Sequence, residues 1–140
     1  MTGIHPIQAL IDAYNADACK KRAESQMTLG KLIERLASMD GDDRVAWLRD
    51  PHSYRGYYSD LAFEFDFDDA APKILISVLL DECRSLMGRH LEGYKGGMFC
   101  MNENTPVRIS DYGHSSGNRL MALNDDGTIT TAPDSLDGEA

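Results

Sequence analysis

A chain of 140 residues with 42% hydrophobic content can bury one real core and is too short for two independent ones. Its 23 acidic against 14 basic residues give a formal charge of -9, which repels phosphate backbones and argues against general binding to DNA, RNA or anionic membranes. Cys19, Cys83 and Cys100 show no CxxC spacing, no apolar run nears the roughly 20 residues of a membrane span, and no signal-peptide pattern opens the chain, so a soluble protein of a reducing cytoplasm is expected.

From Pro6 to about Ser25, apolar residues recur at Ile7, Leu10, Ile11, Tyr14 and Ala18, the spacing of one helical stripe. Pro6 suits a first helical turn. This amphipathic helix, within residues 1–26, needs a surface to cover, on its own domain or on a neighbouring subunit. A second helix is predicted after Thr28, a plausible N-cap, with Leu29, Leu32, Ile33 and Leu36 inward and a turn at Asp40-Gly41-Asp42-Asp43. Arg44 to Arg49 reads as a short strand broken by Asp50-Pro51. Leu61 to Phe67 gives the clearest strand signal, with Leu61, Phe63, Phe65 and Phe67 on one face.

After the loop Asp68 to Pro72, Ser77 is expected to cap a third helix that carries Val78, Leu79, Leu80, Cys83, Leu86 and Met87 and stops at Gly88. Arg89 to Tyr94, Met98 to Met101 and Pro106 to Tyr112 read as strands. Asn124-Asp125-Asp126-Gly127 between Arg119–Leu123 and Thr128–Thr131 is a hairpin signal, and residues 133–140 form an acidic tail without periodicity. The expected whole is an α+β domain over residues 27–132, a small antiparallel sheet with helices packed on one face, plus the N-terminal amphipathic helix and the C-terminal hairpin.

No nucleotide-binding glycine loop, zinc-protease helix or serine elbow is present. His5, His52, His90 and His114 have no ligand-like pairing, and the paired aspartates fall in turns. No catalytic residue, metal or cofactor is therefore expected. Two runs differ from the rest: Ser53-Tyr54-Arg55-Gly56-Tyr57-Tyr58 and Gly93-Tyr94-Lys95-Gly96-Gly97 set aromatic rings, a cation and glycines side by side. Glycine lets a group approach the main chain, Arg or Lys holds an anion, and Tyr offers a flat face. A phosphorylated ring compound suits that combination; turns whose tyrosines cap a small core are the other reading. The candidate ligand-binding set is Arg55, Tyr57, Tyr94, Lys95, Gly96, Gly97, Phe99, Asn104, Arg108 and Asp111. The cations meet phosphate, Tyr57, Tyr94 or Phe99 stacks, and Asn104 and Asp111 meet ribose hydroxyls or adenine edges. An outward-facing strand position is the alternative for Arg108.

The SYRGYY run, Leu61-Ala62-Phe63-Glu64, the GYKGG run and Thr105-Pro106-Val107, in this order, resemble a group of small phage proteins, the anti-Thoeris "sponge" family. Its members sequester the cyclic ADP-ribose signals made by bacterial TIR-domain proteins. The resemblance covers about Thr28 to Tyr112. It implies a non-enzymatic binder in the host bacterial cytoplasm, assembled as a dimer or hexamer, with ligand held near subunit contacts; some members also hold cyclic oligonucleotides at a separate site. From Gly113 the chain departs from that pattern and leads into an additional hairpin. Two other classes stay open: an acidic DNA mimic or protein-binding inhibitor of a host defence protein, and a small nucleotide hydrolase.

Overall fold

The structure is a computed structural model that describes residues 8–10, 12–13, 26–52, 61–65, 72–92, 98–110 and 118–133. Among the described residues, the helices α1 (Leu29–Ala37) and α2 (Ile76–Leu86) accompany the strands β1 (Arg44–Ala46), β2 (Arg49–His52), β3 (Leu61–Glu64), β4 (Lys73–Leu75), β5 (His90–Glu92), β6 (Met98–Cys100), β7 (Val107–Ser110), β8 (Asn118–Leu123) and β9 (Ile129–Ala132). The class is α+β. A five-stranded sheet runs in the order β2-β3-β7-β8-β9, and β1-β4 and β5-β6 form separate two-stranded ladders. One pairing departs from the all-antiparallel expectation: β3 and β7 are parallel, Leu61 opposite Val107 and Phe63 opposite Ile109.

The period of two along β3 and β7 decides the layering. Leu61, Phe63, Val107 and Ile109 share the core with Leu29, Leu32 and Leu36 of α1 and Ile76, Leu79, Cys83 and Leu86 of α2. The intervening residues take the other face, where register sets His52, Ala62, Arg108, Arg119 and Ala132 in one row.

Thr28 caps α1 as expected, its hydroxyl accepting from Lys31 N–H at 3.2 Å. The carbonyls of Thr105 and Glu103 accept from Leu29 and Gly30 N–H at 2.8 and 2.9 Å. Ser77 does not cap α2. The helix begins directly after β4, and the carbonyls of Asp43 and Gly41 take the N–H groups of Ile76 and Ser77 at 2.8 and 3.2 Å. A backbone cap of this kind leaves no mark on the helix's own sequence.

The Asp-Gly hairpin forms. Gly127 N–H donates to Asn124 C=O at 3.0 Å, and Gly127 takes φ 89°, the three-residue loop in which a glycine closes a type I turn. Near the start of the chain, residues 8–10 and 12–13 are helical. This segment turns its polar side to the β5-β6 ladder: Gln8 Nε2 donates to Asp12 Oδ1 at 2.8 Å and to Met98 C=O at 3.1 Å, and Asp12 Oδ2 lies 3.0 Å from His90 Nε2. Leu10 is 72% exposed; Ile7, Ile11 and Tyr14 lie outside the described residues. Among the described residues no helix is long and apolar enough to cross a membrane.

Candidate functional site

A ring and two cations line a cleft at the junction of β2 with the C-terminal end of α2. Alternation begins it. Trp47 is half-buried, Leu48 turns into the core, and Arg49 returns to the side of Trp47, setting its guanidinium carbon 4.9 Å from the ring centroid. Stacking of this kind contributes roughly 0.5–2 kcal/mol and holds both groups in place.

The next two residues reshape the strand. Arg49 pairs with Glu64 and His52 with Ala62, so β2 takes one residue more than β3 over the same span, a β-bulge. Asp50 occupies it with φ 53°, the one non-glycine residue at positive φ among those described. The His52 ring closes the bulge, Nδ1 donating to Asp50 C=O at 2.7 Å. Pro51 fits because β2 is an edge strand with a single neighbour. Asp50-Pro51 therefore bends the strand and does not end it, which corrects the sequence expectation. The true break falls earlier, since β1 and β2 belong to different sheets.

Facing this bulge, Glu82, Ser85 and Leu86 stand on one side of α2 by i, i+3, i+4 spacing. Gly88, at φ 84°, turns the chain, and Arg89 follows. Together Trp47, Arg49, Asp50, Pro51, Glu82, Ser85, Leu86 and Arg89 line an open cleft of about 380 Å³, within the size class of small-molecule sites. Leu86 is its apolar floor. The two guanidiniums are suited to phosphate, the indole to a planar ring, and the two carboxylates to hydroxyl or amino donors.

Of the residues singled out in the sequence, Arg55, Tyr57, Tyr94, Lys95, Gly96, Gly97 and Asp111 lie outside the described residues. The other three are not brought together. Phe99 is 4% exposed and its ring packs in the core, which leaves no open face for stacking. Asn104 is half-buried in the turn that caps α1, where its N–H donates to Asn102 Oδ1 at 2.7 Å. Arg108 is fully buried on the sheet face opposite that core, so the outward-facing alternative is overturned. The sequence reading missed Trp47, Arg49 and Arg89. A signal was present in the single tryptophan two residues before an arginine, followed by Asp-Pro.

The leading N–H groups of α1 and α2 already donate to the chain's own oxygens. Burial, with Glu82 adding to it, pushes the Cys83 thiol up to about 12, and burial followed by the Asp12 charge raises that of Cys100. Neither is held as a thiolate near neutral pH. Among the described residues, no three His, Cys, Asp or Glu side chains gather as a metal site. The chain matches no protein-family model, no curated protein and no solved structure.

Proposed function

We propose that the protein is a phage anti-defence protein that binds and sequesters a small phosphorylated, ring-containing signal of the cyclic nucleotide type, a cyclic ADP-ribose isomer in the first instance, and releases it unaltered. The observation that supports this reading is the cleft, where Trp47 and the guanidiniums of Arg49 and Arg89 supply a ring face and two anion donors in a chain whose overall charge is -9. In so acidic a chain an anion is held only where guanidinium donors converge locally, as Arg49 and Arg89 do in this charge-balanced lining. The family resemblance names the signal class. The exposed Leu10 supports assembly as a homo-oligomer, with the N-terminal segment at the subunit contact.

Native mass spectrometry of the full chain, mixed with cyclic ADP-ribose isomers and cyclic oligonucleotides, reports ligand and subunit number together. Heating the complex and assaying the supernatant then separates binder from enzyme. The expected result is stoichiometric, chemically intact ligand. Arg49→Ala and Arg89→Ala should each weaken binding by about one to two orders of magnitude, since a charge-assisted hydrogen bond contributes about 1.5–3 kcal/mol and 1.4 kcal/mol is tenfold. Ligand altered in proportion to protein and time favours the hydrolase instead, and a folded pair of variants that binds like the parent removes the cleft from the proposal.

A further inference from the structure

We infer that the cleft selects hydroxyl-rich ligands carrying at most two negative charges, a phosphodiester, a single phosphate or a cyclised diphosphate, and rejects open polyphosphates. The inference rests on reading the cleft as the ligand site. Among the described residues its lining sets two guanidiniums, Arg49 and Arg89, against two carboxylates, Asp50 and Glu82. One or two phosphate charges are met by the arginine forks. A triphosphate brings more charge than the arginines can offset, and the carboxylates and the field of a -9 chain act against the remainder.

The carboxylates can only accept hydrogen bonds. They call for donors, and the hydroxyls of a sugar supply them. Asp50 is held for this purpose by the bulge, with φ 53° and its carbonyl tied to His52 Nδ1 at 2.7 Å. That backbone conformation suits Asn as well as Asp, so nothing in the turn itself requires the negative charge. Glu82 is exposed on α2, and its carbonyl accepts from Ser85 Oγ at 2.7 Å, which holds the hydroxyl at the helix edge of the cleft.

The same bulge argues against a peptide as the occupant. An edge strand beside a helix is the geometry that captures an extended chain, yet β2 offers a proline without an N–H and a bulged aspartate at its centre, both of which block strand addition.

Trp47 is the chain's single tryptophan, so fluorescence excited at the red edge, beyond tyrosine absorption, reads the cleft. Parent protein and the double variant Asp50→Asn/Glu82→Gln are titrated with cyclic ADP-ribose, AMP, ATP and inorganic tripolyphosphate. The parent should bind cyclic ADP-ribose or AMP at least about tenfold tighter than ATP. In the double variant ATP should gain about fivefold, the sum of two exposed charge terms. A parent that prefers ATP or tripolyphosphate, or a double variant whose preference against ATP is as large as the parent's, overturns the selectivity while leaving the cleft as a site. Silence of Trp47 toward every probe removes the ligand-site reading and the selectivity with it.

Discussion

Gly30→Ala sets local propensity against packing, and the two predict opposite signs. Gly30 lies in the first turn of α1. On propensity alone, alanine stabilises a helix interior by up to about 1 kcal/mol relative to glycine. The structure places a Cβ at this position 2.8 Å from the Glu103 carbonyl oxygen, 2.9 Å from Glu103 Cβ and 3.1 Å from its Cα. None of these is the far end of a flexible side chain, so the helix or the turn at residues 102–105 must move. That movement pulls on the bonds from Leu29 N–H to Thr105 C=O and from Gly30 N–H to Glu103 C=O. Overpacking costs about 1–3 kcal/mol, and a stranded buried donor costs a similar amount. After the propensity gain is subtracted, a net loss of about 1–3 kcal/mol is expected. Urea unfolding followed by far-UV dichroism reads it as a lower midpoint at unchanged slope. A midpoint equal to or above that of the parent refutes the close approach.

Arg108→Met removes a fully buried guanidinium at the centre of the sheet and strands whatever polar group meets it, and should destabilise by about 1–3 kcal/mol; parent-like melting would show that the guanidinium does nothing for the fold. At pH 8, iodoacetamide should modify half-buried Cys100 ahead of Cys83, whose thiol is buried and pushed up to about 12; equal rates in the folded protein contradict this. The Thr128 hydroxyl and N–H, at 2.6 and 3.0 Å, hold the Asp126 carboxyl below its ordinary range. Because the folded value lies below the unfolded one, this contribution is complete above about pH 4 and is lost as pH falls through the depressed value. Thr128→Val should move the Asp126 titration upward by NMR, and an unmoved titration would sink the assignment.

Elements with a local cause were legible in the chain. Thr28 capped its helix because the cap is a side chain, and Asp126-Gly127 made its hairpin because only glycine adopts the required φ without strain. The start of α2 was misread because its cap is made by carbonyls of residues 41 and 43, distant in sequence. The pairing of β3 with β7 is equally nonlocal, and nothing in Leu61-Ala62-Phe63-Glu64 names its partner or direction. At the site, Asp50-Pro51 was read by its usual meaning as a strand stop. An edge position tolerates both residues, and that position is a property of the sheet. Arg108 was singled out for its charge, but its complete burial on the second face of the sheet is a property of the fold, which one sequence does not display.

The parallel β3-β7 pair also sets a timetable. The β2-β3 and β8-β9 ladders join neighbours in sequence, and in the described sheet β7 stands between them. Ribosomes add roughly 5–20 residues per second, so several seconds separate the emergence of Glu64 from that of Ser110. Throughout that interval Leu61 and Phe63 lack their Val107 and Ile109 partners, and closing so long a loop makes this pairing a late step. A nascent chain arrested before Val107 should therefore be the species that chaperones hold, and release should follow the appearance of β7.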